Sequence, residues 1–286
     1  MTEPPRAITV FTRRNPAHTA DALRRVIDLA REAGVEVRVP ADEVEKHGLE
    51  QDEGTVHGAD PGGPTDLAVV LGGDGTILSS LRLFAGRGVP TFAFNLGAIG
   101  FLSTMERAEL EEGMRRAVAG DFDVLSLPAM TAQTADGDRL AVNDISFHRH
   151  PHGRVAELAY SVRGEQLGAV RCDGLVVSTP AGSTGYNLAN GGPVMAWGVE
   201  GYVVSFIAPH TLTARALVVA PDDELEVMNR SLEEPVEMTT DGRRMCAVAP
   251  QGRVRVRFEE GKALLAQVPG ASFYHRLRDK FGRLSY

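Results

Sequence analysis

Ten residues, Leu67 to Thr76, constrain this chain more than any other stretch; they read L-A-V-V-L-G-G-D-G-T. The unbroken apolar run Leu67-Ala68-Val69-Val70-Leu71 has the length and β-branched content of a strand covered on both faces, as the strands of a parallel sheet are. Gly72-Gly73-Asp74-Gly75-Thr76 follows at its carboxyl end. Glycines around an aspartate permit positive φ and let another molecule approach the main chain, and the carboxyl edge of such a sheet is where α/β proteins bind ligands. Ile77 to Phe84 then carries apolar residues at helical spacing, so the turn is strand-to-helix and its free N–H groups point at the same place.

The turn matches neither G-x-G-x-x-G nor G-x-x-x-x-G-K-[ST], so no P-loop lysine meets a phosphate here. What remains is a carboxylate among backbone donors. Carboxylate and phosphate repel, so Asp74 suits a hydroxyl or a bridging divalent cation, and both readings point to phosphoryl transfer to an alcohol. The plainer alternative is a glycine turn in which Asp74 only caps the next helix.

A length of 286 residues favours two domains. The chain opens as βαβ: a strand over Ala7 to Thr12, a helix from Ala20 to near Gly34 with Leu23, Val26, Ile27 and Ala30 on one face, and a strand over Val35 to Val39. Lys46 to Asp66, rich in Gly, Asp and Glu and holding Pro61 and Pro64, reads as a surface loop. Val89 to Phe94 is a further strand, ending in the glycine-bearing loop Asn95 to Leu102 (N-L-G-A-I-G-F-L). In a parallel sheet this loop and the Asp74 turn leave the same edge and line one cleft. A helix over Glu106 to Ala119 closes the α/β part. From about Asp123 short alternating runs such as Leu140–Phe147, Leu175–Ser178 and Tyr202–Ile207 signal an all-β layer. The expected architecture is an α/β, Rossmann-like N-terminal domain (1–123), a β-rich, sandwich-like C-terminal domain (124–268) and a helical tail (269–286) packed back on the protein. The basic face of that tail, Phe273 to Leu284, is expected to be solvated.

With 43% hydrophobic and 24% charged residues the composition is that of an ordinary globular protein. A net charge of −8 opposes non-specific binding to nucleic acid or an anionic membrane, so a phosphorylated substrate would need a local basic pocket. The two cysteines, Cys172 and Cys246, have no metal-ligand spacing. The start M-T-E-P-P-R lacks a signal peptide's apolar region and no apolar stretch is long enough to span a bilayer, so a cytoplasmic protein with reduced thiols is expected.

In the second half, Arg171 to Asn187 (R-C-D-G-L-V-V-S-T-P-A-G-S-T-G-Y-N) has too many small and hydroxylated residues for a core segment and reads as a binding loop, with Thr184, Tyr186 and Asn187 supplying donors and a ring. Asn143-Asp144 interrupts an otherwise apolar strand. Such a pair can grip the vicinal hydroxyls of a ribose or the edge of a base; the alternative is a water-exposed bulge on an edge strand. His148-x-His150-x-His152 could line one side of a strand, but Pro151 and Gly153 favour a turn of solvated histidines over a metal site. Cys172 and Trp197 read as packing residues.

Taken in order, G-G-D-G-T, N-L-G-A-I-G-F-L, the Asn-acidic pair, D-G-L-V-V-S-T-P-A-G-S-T-G-Y-N-L-A-N-G-G-P, the run from Pro209 to Val219, and Thr240-Asp241-Gly242 resemble NAD kinases, from about Leu67 to the C-terminal R-D-K-F-G. The G-T-x-N-D segment of diacylglycerol-type kinases and the T-x-D-x-D string of phosphofructokinases are missing. The resemblance implies Mg²⁺-dependent phosphorylation of the 2′-hydroxyl of the adenosine ribose of NAD to NADP, with ATP or inorganic polyphosphate as donor. Mg²⁺ would be held by the donor rather than by protein ligands. It also implies NAD bound between the domains and across a subunit contact of a homodimer or homotetramer. Asp74 is then the proton acceptor. The dinucleotide or its donor would be contacted by Gly73, Gly75, Thr76, Asn95 and Phe101 in the first half. In the second half the contacts would be Asn143, Asp144, Arg154, Arg171, Asp173, Thr184, Gly185, Tyr186, Asn187, Leu188, Ala189, Ala208 and Arg243. This chain departs from the family at three of these. Asp144 replaces a glutamate, so its ribose contact is expected to be longer or water-mediated; Gly185 replaces alanine, loosening that turn; Arg243 replaces glutamine and would add positive charge near a phosphate or pair with Asp241.

Overall fold

The computed structural model describes residues 2–50, 54–97, 100–150 and 153–282. Two compact units emerge, residues 1–126 with 263–286 and residues 127–262.

In the first unit the elements run β1 (Ala7–Thr12), α1 (Ala20–Glu32), β2 (Glu36–Pro40), α2 (Ala41–His47), β3 (Thr55–Ala59), β4 (Leu67–Gly72), α3 (Asp74–Leu83), β5 (Thr91–Asn95), β6 (Met105–Glu106) and α4 (Leu110–Ala119). The principal strands are ordered β3-β2-β1-β4-β5 and every adjacent pair is parallel. Chain direction across the sheet therefore reverses between β1 and β4, the place where loops diverge and leave a crevice at the carboxyl ends. Every residue from Leu67 to Leu71 is fully buried, which is why that run has no polar alternation. Helix α1 buries Leu23, Val26, Ile27 and Ala30, the face expected from their spacing.

The segment read as a loop from Lys46 to Asp66 is instead partly regular, because α2 reaches His47 and β3 occupies Thr55–Ala59 as the edge of the sheet. Gly48, in a left-handed conformation, ends α2 as a C-cap, and Gly58 lies inside the short strand. The glycines that suggested a loop are thus punctuation within structure. Glu43 of α2 is buried and accepts from the Thr12 amide at 2.9 Å and from Lys46 Nζ at 2.7 Å, so a charged residue anchors this helix to the end of β1.

The second unit contains the rest of β7 (Asp123–Thr134), then β8 (Gly137–Ala141), β9 (Asp144–Arg149), β10 (Ala156–Val162), β11 (Glu165–Cys172), β12 (Gly174–Ser178), α5 (Tyr186–Ala189), β13 (Tyr202–Ile207), β14 (Leu217–Val219), β15 (Leu225–Asn229), β16 (Val236–Thr240), β17 (Arg243–Val248) and most of β18 (Arg253–Gln267). One antiparallel sheet has the order β14-β13-β12-β9-β16-β17, and a second set runs β11-β10-β15-β18. Ile145, Phe147, Val177, Val204 and Met238 of the first share a single core with Leu158, Val170, Leu225, Val227 and Val256 of the second, the arrangement of a β-sandwich.

The second unit stops at Lys262 rather than Val268. Beyond that point β18 turns to the first unit's sheet: Leu265 pairs in parallel with Thr91, and the Ala266 carbonyl accepts from Thr104 Oγ1 at 2.8 Å. The last described helix, α6 (Phe273–Phe281), is capped by Ser272 and belongs to the first unit as well. Among the described residues no helix is long and apolar enough to cross a membrane.

Candidate functional site

Asp74 is the first residue of α3, directly after the Gly73 N-cap. Its carboxylate is gripped from the second glycine loop: Oδ2 accepts from the Phe101 amide at 2.9 Å and Oδ1 from the Leu102 amide at 3.1 Å. The bond partners are supplied by a neighbouring strand's loop, so Asp74 does more than cap its own helix. Each oxygen keeps a lone pair for an incoming hydroxyl. Burial raises the Asp74 pKa above the ordinary 3.8, while the two amides and the Lys280 and Arg276 cations oppose that rise. A carboxylate so placed is more basic than a solvated one.

The expectation that both loops share one cleft is met within this unit. A Cβ on Gly100 would stand 3.2 Å from Asp74 Oδ1, a tight contact that would press on the carboxylate. Asn95, at the end of β5, is buried; its Nδ2 donates to Glu106 Oε2 and its Oδ1 accepts from the Gly97 amide, both at 2.9 Å. It organises the loop. Phe101 contributes its amide, while its ring lies 5.3 Å from that of Phe281. Gly75 is exposed beside Asp74, and the Thr76 amide donates to Gly73 O at 2.9 Å. Ala98 and Ile99 lie outside the described residues.

One sequence expectation fails here. The basic face of the tail is not simply solvated: Arg276 is turned inward, donating to the carbonyls of Phe101 and Ser103 and to Gln267 Oε1, and Lys280 Nζ lies 3.4 Å from Glu106 Oε1. Amphipathic spacing could not reveal this, because two of the acceptors are main-chain carbonyls 175 and 173 positions away in sequence.

In the second unit Asn143 and Asp144 stand at the start of β9, a central strand rather than an edge. Their turn is held by Asp241, whose carboxylate accepts from the amides of Val142 (3.1 Å), Asn143 (2.7 Å) and Asp144 (3.1 Å). Nothing in the pattern Thr240-Asp241-Gly242 signals this role, because the partners of Asp241 are main-chain amides. The Asn143 side-chain oxygen is buried with no hydrogen-bond partner among the described residues, as an acceptor awaiting a ligand donor would be. Gly182 explains the glycine of the S-T-P-A-G-S-T-G block, since a Cβ there would come 2.1 Å from the Asn143 carbonyl oxygen. Tyr186 stacks on His148 with ring centroids 5.6 Å apart. The histidine is thus used in packing and bonds Ser146 Oγ, and among the described residues no three His, Cys, Asp or Glu side chains gather as a metal site. His152 lies outside the described residues.

Asn187 is buried and turned inward, donating to Ser183 O and Pro193 O, so it shapes the loop. Thr184 Oγ1 donates to Ala181 O, Leu188 is half-buried, and Ala189 is exposed. Gly185 adopts φ −98° and ψ −121°, and a Cβ there would stand 3.3 Å from the Gly182 carbonyl oxygen. Asp173 accepts from Arg149 Nε at 2.6 Å. Arg154 and Arg171 come together, with Arg230, around a cavity of about 320 Å³, but Glu157, Glu233 and Glu234 line it as well, so its charge is balanced rather than basic. Ala208, at φ +42°, and Arg243 are both exposed. Cys172 is buried with its thiol pushed up to about 12, an inert packing residue.

Burial and the nearby Asp241 carboxylate push Asp144 up to about 7, against an ordinary 3.8. The folded protein then holds this proton more tightly than the unfolded chain, so the group lowers stability as pH rises from about 4 to about 7, and the loss is complete above that. Asp144→Asn is expected to melt about 3 °C or more above the wild type near pH 8, the gap closing toward pH 4. Thermal melts across that range check the sign; an equal gap at both ends would contradict it.

The ATP-NAD kinase N-terminal domain matches residues 40–122 and the ATP-NAD kinase C-terminal domain matches residues 142–268. An NAD kinase of Gemmatimonas aurantiaca is 37% identical over 77% of this chain and 78% of its own length. One of Syntrophotalea carbinolica is 31% identical over 96% and 98%. Among solved structures, yeast NADH kinase complexed with NADH superposes with a TM-score of 0.88 at 23% identity, covering 100% of this chain and 90% of that one. An Archaeoglobus fulgidus NAD kinase in complex with ATP gives 0.74 at 25% identity, covering 97% and 98%.

The α/β unit with its strand-end carboxylate and the β-rich unit define, together with these matches, a phosphotransferase with an alcohol acceptor. Both domain matches and the extent of the shared sequence place it further: the chain belongs to the NAD kinase family.

Proposed function

We propose that the protein transfers the γ-phosphoryl group of ATP to the 2′-hydroxyl of the adenosine ribose of NAD, giving NADP and ADP. The observation that carries this reading is the Asp74 carboxylate, held by the amides of Phe101 and Leu102 with a lone pair left on each oxygen. Asp74 orients the 2′-hydroxyl and takes its proton as the new O–P bond forms and the bond to the ADP oxygen breaks. A pKa raised by burial suits that task, because the proton moves late, when the hydroxyl has become acidic.

Asn143 Oδ1 supplies the acceptor for an adenine or ribose donor, and Asp144 the acceptor for a ribose hydroxyl. Asp173, Tyr186 and the Thr184–Ala189 turn complete the dinucleotide contacts, and Arg154 and Arg171 meet its phosphates. Mg²⁺ would be held mostly by the phosphate oxygens of the donor and by water, and would answer the negative charge of the transferred group. A cytoplasmic homo-oligomer is the expected working form.

The test is NADP formation by purified protein from NAD, ATP and Mg²⁺. Product appearing only with all three supports the reading. Binding of NAD without any turnover would point instead to a dinucleotide sensor.

A further inference from the structure

The peptide joining Phe101 to Leu102 has two charged neighbours. Its N–H, on Leu102, donates to Asp74 Oδ1 at 3.1 Å, and its C=O, on Phe101, accepts from Arg276 Nη1 at 3.1 Å. A planar peptide points these groups in opposite directions, so the guanidinium and the carboxylate hold the same plane from its two ends. The same Nη1 also donates to the Ser103 carbonyl, and Nη2 to Gln267 Oε1. Gln267 in turn donates to the Ala266 carbonyl at 2.8 Å at the end of β18. Phe281, one turn further along α6, packs on the ring of Phe101.

We propose that Arg276 is a positioning residue for Asp74: it fixes the 101–102 peptide plane so that the Leu102 amide faces the carboxylate, and it polarises that amide toward it. This inference rests on the proposed role of Asp74. Without the guanidinium the plane is free to rotate, and a half-turn would aim the Phe101 carbonyl at the Asp74 carboxylate, replacing an attraction with a repulsion. Hydrogen bonds in series through one peptide strengthen one another, more so when both ends are charged. The guanidinium serves the Phe101 and Ser103 carbonyls from one nitrogen and Gln267 from another in a fixed plane, whereas a lysine would have to reach all three from a single point on a flexible stem.

The groups that set the Asp74 charge are known. Arg276 and Lys280 of α6 favour the ionised form, and Glu106 of β6 faces both cations. Removing Arg276 takes away a cation and loosens the Leu102 amide donor, so both effects move the proton affinity of Asp74 upward.

Arg276→Ala and Arg276→Lys are to be compared with wild type and Asp74→Asn for kcat, the KM for NAD and the pH profile of kcat. The expected result for Arg276→Ala is a loss of kcat of about 10²-fold, the scale of a misplaced catalytic group. The KM for NAD should stay within about threefold and the acid limb of the profile should move to higher pH. Added guanidinium should restore part of the lost rate in Arg276→Ala and none in Asp74→Asn. A kcat near wild type with an unmoved acid limb, while Asp74→Asn is inactive, overturns the role of Arg276 alone. Activity retained in Asp74→Asn overturns the underlying reading. Should Arg276→Ala fail to fold, Arg276→Lys decides: normal kcat with an unmoved limb sinks the proposal, and a reduced kcat with a raised limb upholds it.

Discussion

Asp74→Asn is expected to lower kcat by about 10³-fold or more, within the range that general-base catalysis commonly supplies, while the KM for NAD changes little. Two losses combine. The carboxamide cannot take the hydroxyl proton, and it also disturbs its own socket. Both carboxylate oxygens now accept from amides, those of Phe101 and Leu102. An asparagine presents one oxygen and one NH₂, so a donor is set against a donor at one of the two sites. The side chain must rotate, and the hydroxyl-orienting geometry goes with it. Dinucleotide affinity rests chiefly on contacts proposed for the second unit, which this change leaves alone. Steady-state kinetics with NAD varied at saturating ATP separates the two parameters; a parallel rise in KM would mean that Asp74 contributes to ground-state binding.

The second large effect is expected at Asp241. Asp241→Ala deprives the amides of Val142, Asn143 and Asp144 of their shared acceptor. Unpaired, partly buried N–H groups cost about 1–3 kcal/mol each, and relief of the repulsion with Asp144 offsets part of that sum, leaving a net loss of about 2–4 kcal/mol. The turn that presents Asn143 and Asp144 would open at the same time, raising the KM for NAD about tenfold or more. A thermal melt and an NAD titration measure the two consequences separately. If the melt drops and the titration does not, Asp241 is only structural.

The architecture was legible where one chemical pressure acts on consecutive residues. Leu67 to Leu71 all need burial, so the central strand stands out, and the glycines around Asp74 mark the turn that must follow. The adjacency of the Asn95 loop followed from strand order, since β4 and β5 pair in parallel. Residues 41–59 were harder: α2 is only seven residues long and β3 an edge strand, so neither offers a long periodic signal. The supports of the site were harder still. Asp241 and Arg276 bond to main-chain groups, which every residue possesses, so nothing in the partner's identity announces the contact. The Asn143-Asp144 pair could be seen because it breaks an apolar pattern; the aspartate that holds it lies 98 positions from Asn143 and breaks none.

The first unit is discontinuous: residues 127–262 intervene between its two parts. Seen from the ribosome, this sets an order of completion. The glycine turn, the Asn95 loop and the whole contiguous β-rich unit are synthesised before Arg276, whose bonds to Ser103 and Phe101 close separations of 173 and 175 positions. Such distant closures come late, because the chain entropy they consume is recovered only once both ends are already structured. A nascent chain can therefore carry the G-G-D-G-T turn and the S-T-P-A-G-S-T-G block and still lack the brace behind its acid. In this fold the support of the acid arrives with the last described helix, long after the acid itself.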